Sequence, residues 1–149
     1  MATTVGTEST IEDLLYDLIE LDYDAADAYQ AAIDRLDDPA FRSTLSAFKR
    51  DHLRHIDELG VILTGMGRTP PKQGDLKSLL TRGKVVIGGL AGDKAILQAM
   101  RTNEADTNTA YERAVQFRDL PIACRDALER GLEDERRHCE WILETLKTL

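Results

Sequence analysis

Apolar residues recur at steps of three and four along almost the whole chain, and only helices can bury such a pattern. The first periodic segment opens at "TESTIEDLL", where Ser9 and Glu12 have capping-box spacing. It carries Leu14, Leu18, Leu21, Ala25 and Ala32 to about Leu36. Asp38 and Pro39 then supply a cap and a first-turn proline for a second segment, with Leu45, Phe48, Leu59 and Ile62, that stops at "TGMGRTPP". A third starts after "AGD", with Asp93 as its expected cap, and runs to about Arg118. "DLP" opens a fourth, carrying Leu128, Leu132, Ile142 and Leu146. Two short connections flank one long one, residues 65–92, which is too long to be an idle loop. The spacing predicts an all-α fold: an antiparallel four-helix bundle of two hairpins, with a crossover between helices 2 and 3. The middle of that crossover, "DLKSLLTRGKVVIGGL", reads as partly helical and apolar enough to pack along the bundle. Residues 1–8 are expected to form a flexible tail and residues 9–149 the bundle domain.

Each helix interrupts its inward stripe near the middle with a side chain able to bind metal. The stripes read Leu15, Leu18, Asp22, Ala25, Tyr29, Ala32, Leu36 in the first and Leu45, Phe48, His52, His55, Leu59, Ile62 in the second. They read Leu97, Met100, Glu104, Thr107, Tyr111, Ala114 in the third and Leu128, Gly131, Glu135, His138, Ile142, Thr145, Leu149 in the fourth. The three histidines of the chain all lie in these breaks. Residues three apart on a helix lie about 60° apart around it, so His52 with His55, and Glu135 with His138, can each reach one centre. Asp22 is seven residues before Tyr29 and Glu104 seven before Tyr111, so each carboxylate shares a face with a tyrosine. Buried unpaired carboxylates cost several kcal/mol or take up protons, and cations at the centre would remove that cost. Neutral imidazoles would complete the coordination. The bland alternative makes these polar core positions, and Tyr29 and Tyr111 hydrogen-bonded core aromatics. Asp24, Asp27 and the charge-rich stretches "ERRH" and "RDALER" read as solvated surface, Trp141 as packing and Cys139 as a buried thiol.

Composition narrows the class further. With 27 acidic against 19 basic residues the net charge is −8, which leaves no basic face for nucleic acid or an anionic membrane. No apolar run reaches the ~20 residues of a membrane span, and "MATTVGTEST" has no signal-peptide pattern. Cys124 and Cys139 have neither metal-ligand nor redox spacing, so reduced thiols in a cytoplasmic protein are expected.

The four motifs resemble the ferritin-like superfamily, particularly bacterioferritins and rubrerythrins, in which two helices each supply a Glu, often followed by Tyr, and two supply Glu-x-x-His. "DERRHCEWILETL" is similar to the fourth-helix motif, which implies ligand roles for Glu135 and His138. "NEADTNTAY" implies Glu104, "LDYDAADAY" implies Asp22 where the family usually has Glu, and "DHLRHIDEL" matches at His55. "GDKAILQAMRTNEADTNTAYERA" also resembles a group of uncharacterised bacterial ferritin-like bundles in which several members lack a complete metal site. One position departs: His52 stands where the family has a bridging glutamate, and Asp51 beside it lies about 100° round the helix. The expected ligand set is therefore Asp22, His52, His55, Glu104, Glu135 and His138. His52 leaves open a changed metal, a single metal or a weak site.

What the resemblance implies is a di-metal carboxylate–histidine centre with two iron ions, or else manganese or zinc. It would be an oxidase- or peroxidase-type oxidoreductase using dioxygen or peroxide, with Glu104 and Glu135 as bridges and Tyr29 and Tyr111 in supporting catalytic roles. The alternative is a non-catalytic helical module serving protein partners. Nothing in the sequence marks the surfaces of a storage shell, while dimerisation is compatible with a bundle of this size.

Overall fold

The structure, a computed structural model, describes residues 3–74 and 86–149, and all regular structure among them is helical. Four long helices carry the fold: α1 (Ile11–Ile33), α2 (Pro39–Gly65), α3 (Asp93–Ala114) and α4 (Ile122–Leu146). Helix α1 packs against α2 and α3, and α4 packs against the same two, so the four close into a bundle.

Local chemistry sets the ends, not always where periodicity alone puts them. Asp38 caps α2 as expected, accepting from the Ala40 amide at 2.7 Å with Pro39 at the first helical position. The cap of α1 is Thr10 rather than Ser9; its hydroxyl accepts from the Asp13 amide at 3.2 Å. Asp93 is not a cap but the first residue of α3, after Gly92. Its carboxylate instead accepts from the backbone amides of Asp37 and Asp38, at 2.7 and 3.1 Å, and so pins the α1–α2 turn to the start of α3. Helices α1 and α3 stop at Ile33 and Ala114, short of the expected Leu36 and Arg118. Leu36 is nevertheless buried, because the turn after α1 folds it back onto the core.

The core is divided. One cluster holds Leu15, Leu18, Leu59, Leu63, Ala114 and Leu128; the other holds Ala32, Leu45, Phe48, Leu97, Met100 and Ile142. Full burial of one such leucine contributes ~1.5–3 kcal/mol, so either cluster alone outweighs several buried polar groups. Helices α1 and α4 run from the first cluster to the second, and α2 and α3 run back. The polar interruptions of all four stripes fall between the clusters.

Of the expected helical crossover, residues 75–85 lie outside the described part. Residues 86–88 form a helical turn, and Ile87 is fully buried in the second cluster. At the other end of the chain the Thr3 amide donates to Asp106 at 3.3 Å, and the Arg113 guanidinium donates to the Thr3 and Val5 carbonyls at 2.8 and 3.2 Å.

Candidate metal centre

Between the two apolar clusters lie Asp22 from α1, His52 and His55 from α2, Glu104 from α3, and Glu135 and His138 from α4, all buried. They form two overlapping groups whose potential ligand atoms lie within 4.8 Å of one another: Asp22, His52, His55 and Glu135, and His52, Glu104, Glu135 and His138. Glu135 and His52 belong to both groups and Glu104 to one.

The tyrosines are exchanged between helices. Tyr29, on the face of Asp22, donates its hydroxyl to Glu104; Tyr111, on the face of Glu104, donates to Asp22 at 2.6 Å. Seven residues is about 10 Å along a helix, and the ring spans to the neighbouring helix rather than along its own. Gly131 makes room for this. A side chain there would collide with the Tyr111 ring, which explains a glycine in the interior of α4 despite its cost of roughly 1 kcal/mol.

Imidazole and carboxylate meet throughout. His52 Nδ1 lies 2.7 Å from Asp22 and 3.5 Å from Glu135, while its Nε2 lies 3.6 Å from Glu104. His55 Nδ1 is 3.3 Å from Asp22 and 3.6 Å from Glu135. His138 Nδ1 faces Glu104 at 3.5 Å and Glu135 at 4.0 Å. Thr107 steadies Glu104, donating to its outer carboxylate oxygen at 3.2 Å.

Beyond these lies an outer layer that periodicity does not reveal. Asp134 accepts from His55 Nε2 at 2.9 Å, and Asp51 accepts from His138 Nε2 at 2.9 Å. Arg54 and Arg137 each pair with both aspartates. The stretch "ERRH", expected as solvated surface, is thus half structural: Arg137 clamps the aspartate that orients the His138 next to it. The missed signal is a repeat. "DHLRH" at 51–55 and "DERRH" at 134–138 both read Asp-x-x-Arg-His. Asp24 is a second correction, buried rather than solvated, because Gly74 approaches so closely that any side chain there would collide with its carboxylate. Cys139 is half-buried, and its sulfur accepts from Asn108 at 3.3 Å; burial, then the charges of Glu104 and Glu135, push its thiol up to about 11.

Electrostatics follow from the packing. Burial opposes the charge of Asp22, but hydrogen bonds from His52 and His55 outweigh it and hold the carboxyl at about 2. Glu104 is lowered in the same way by His138 and His52. Burial and the charge of Glu104 push Glu135 up to about 8, so at neutral pH and without a cation it carries a proton. Burial alone would lower His55; Asp134 and Asp22 overcome it and raise the imidazole to about 9. His52 and His138 are raised too, against burial, by Glu135 and Asp22 for His52 and by Asp51 and Glu104 for His138. Burial and the adjoining Glu104 and Asp22 hold the Tyr29 and Tyr111 hydroxyls protonated.

Five buried side-chain polar atoms have no hydrogen-bond partner among the described residues. Four of them are His52 Nε2, His138 Nδ1 and both carboxylate oxygens of Glu135; the fifth is the amide nitrogen of Asn103. Such atoms are rare in folded proteins. Four at one place, all of metal-ligating type and within reach of one point, are what an ion would complete. The residues therefore fit a metal.

The chain matches no curated protein and no solved structure. One family does match, over residues 10–116, which spans α1 to α3 and leaves Glu135 and His138 of α4 beyond the matched part. The chain belongs to that family, described as a domain of unknown function, DUF2383.

Proposed function

We propose that this protein is a metal-binding, ferritin-like antiparallel four-helix bundle, formed by residues 9–149, with a carboxylate–histidine centre between its helices. The observation that carries this reading is the set of unpartnered buried atoms on His52, Glu135 and His138, facing Glu104. Helices that alternate in direction between two apolar clusters support the bundle assignment. Mixed oxygen and nitrogen ligation suits iron or manganese, and also accepts zinc. Iron or manganese held there supplies electron transfer to dioxygen or peroxide, which makes an oxidase- or peroxidase-type activity the proposed one. Among the described residues no helix is long and apolar enough to cross a membrane. A cytoplasmic location, suggested by the free thiols, belongs to this proposal.

The residues divide the work. Glu104 and Glu135 supply negative charge in the ligand set. Asp51 accepts a hydrogen bond from the outer nitrogen of His138 and turns the inner nitrogen toward the centre. Tyr29 and Tyr111 hold Glu104 and Asp22 in place and put two oxidisable rings against the site. The apolar clusters above and below keep water from the centre, which strengthens every charge interaction within it.

A second reading keeps the bundle and drops the metal: an ionic core in which protons balance the carboxylates and which fixes helix register. The 2.7 Å contact of His52 with Asp22 favours it. One experiment separates the two. The protein is expressed with iron, manganese and zinc supplied, and its metal content is compared with that of the double variant Glu135→Gln/His138→Gln. Stoichiometric metal in the parent, lost from a variant of equal helicity, is the expected result. Equal metal content in both, or a folded parent that takes up none, overturns the assignment.

A further inference from the structure

The two overlapping groups of ligands are not equivalent. In the first, both nitrogens of His55 face carboxylates, Asp22 at 3.3 Å and Asp134 at 2.9 Å. Both ring nitrogens of His55 are thus already engaged within the protein. His52 Nδ1 also donates to Asp22, at 2.7 Å. Asp22 receives Tyr111 on its other oxygen at 2.6 Å. Every ligating atom of His55 and Asp22 is already hydrogen-bonded within the protein.

In the second group both Glu104 oxygens also accept hydrogen bonds, from Tyr29 and Thr107, but the other three residues keep atoms free. His138 donates its Nε2 proton to Asp51 at 2.9 Å and leaves Nδ1 without a partner. His52, having spent Nδ1 on Asp22, leaves Nε2 without one, and Glu135 has neither oxygen bonded. Most separations suit an ion in either group, His55 Nδ1 lying 3.3 and 3.6 Å from Asp22 and Glu135, but one does not. Ligands about 2.1 Å from one tetrahedral ion lie ~3.4 Å from each other. In the second group, His52 Nε2 and His138 Nδ1 lie 3.6 and 3.5 Å from the same Glu104 oxygen. The 2.7 Å between His52 Nδ1 and Asp22 is too short for two ligands of one ion and is an ordinary hydrogen bond.

We propose, on the strength of the metal-binding reading above, that this protein holds one divalent cation and not two, on His52 Nε2, Glu104, Glu135 and His138 Nδ1. Asp22 and His55 form a closed, hydrogen-bonded half beside it. A second ion on Asp22 and His55 would first have to displace their hydrogen bonds to Tyr111 and Asp134, while Asp51 and Asp134 are already paired with Arg54 and Arg137. His52 is the cause: a glutamate at its position would bring a fourth carboxylate and no proton, and would open the first group to an ion.

The test is stoichiometry. Metal-free full-length protein is titrated with Zn(II), and separately with Fe(II) in the absence of oxygen, and the bound ions are counted by native mass spectrometry. One equivalent is expected for the parent, none for Glu104→Gln or His138→Gln, and two for His52→Glu, with helicity checked for each by circular dichroism. Two equivalents in the parent overturn this inference and leave the metal reading standing; none overturns both. A folded His52→Glu that still binds one removes His52 as the cause. Should His52→Glu fail to fold, the parent's count and its loss in Glu104→Gln decide alone.

Discussion

The α1–α2 half of the centre and the α3–α4 half are built on one plan and differ at a few residues. Each contributes a carboxylate with a tyrosine seven residues on, then Asp-x-x-Arg-His: Asp22, Tyr29 and 51–55 in one half, Glu104, Tyr111 and 134–138 in the other. Within that plan His52 occupies the place of Glu135, and Phe48 the place of Gly131. Phe48 stacks on His138 with ring centroids 4.2 Å apart, whereas Gly131 gives its space to Tyr111. In the α1–α2 half only His52 Nε2 is left without a partner, whereas the α3–α4 half keeps both Glu135 oxygens and His138 Nδ1 unspent. A repeated sequence plan does not make two equal halves; His52 in the place of Glu135 and Phe48 in the place of Gly131 are enough to break it.

The strongest way to break that comparison is to exchange the two shared positions for apolar or neutral groups in metal-free protein. His52 neutralises Asp22 directly, and removing one partner of a buried charged pair typically costs ~3–5 kcal/mol. His52→Leu is expected to lose about that much in denaturant unfolding. Glu135 already carries a proton at neutral pH, with its carboxyl raised by burial to about 8, so Glu135→Gln is expected to lose under ~1 kcal/mol. Equal losses at the two positions would show that the halves are electrostatically alike.

Next in size is the packing difference. Gly131→Ala drives a methyl group into the Tyr111 ring, and overpacking of this kind costs ~1–3 kcal/mol. Because Tyr111 holds Asp22, the strain should reach the closed half first. Thermal unfolding measures the loss. A shift in the Tyr111 fluorescence or ring resonances locates it, and an unperturbed Tyr111 would rule out this route.

How much of this was legible beforehand depends on the range of the interaction. The helices, their inward stripes and the six central side chains follow from periodicity, because a single helix decides which residues share a face. The Thr10 cap and the role of Asp93 do not follow, since hydroxyl and carboxylate groups at neighbouring positions compete and the tertiary turn chooses. The tyrosine exchange does not follow from periodicity, because a same-face argument stops at the helix's own surface. Asp51 and Asp134 lie off the inward stripe and looked like surface, yet each reaches the histidine of the facing helix. Their one sequence trace was the repeated Asp-x-x-Arg-His, visible only when α2 and α4 are aligned with each other.

Those outer aspartates sharpen the comparison further. Loss of an outer carboxylate that orients a metal-bound histidine typically costs 10–100-fold in affinity. Asp51→Asn should therefore weaken Zn(II) binding by about 10–100-fold, since Asp51 orients His138. Asp134→Asn touches the closed half, and a change of under about threefold is expected there. Competition against a chelator of known affinity gives both values. Reversed sensitivity would move the ion to the Asp22–His55 side.

The dependence of stability on pH has a sign that distinguishes the metal-free protein from the loaded one. Glu135 is raised from 4.5 to about 8 by folding, so its contribution is full below 4.5 and lost as pH rises through 8. His55 is raised from 6.5 to about 9, so its contribution is full below 6.5 and lost as pH rises through 9. Asp22 runs the other way: lowered from 3.8 to about 2, it contributes above 3.8 and fails as pH falls through 2. Metal-free protein should thus be most stable near the acid end of the range between these limits. Its stability should then fall by up to ~1.4 kcal/mol per pH unit for each excess proton the folded state holds. A bound cation takes the place of the Glu135 proton, so the loaded protein should gain stability over the same rise in pH. Urea unfolding at intervals from pH 5 to pH 9, with and without Zn(II), measures both slopes. Parallel slopes would mean that the cation and the protons do not compete, and that the unpartnered atoms of His52, Glu135 and His138 are not where the ion sits.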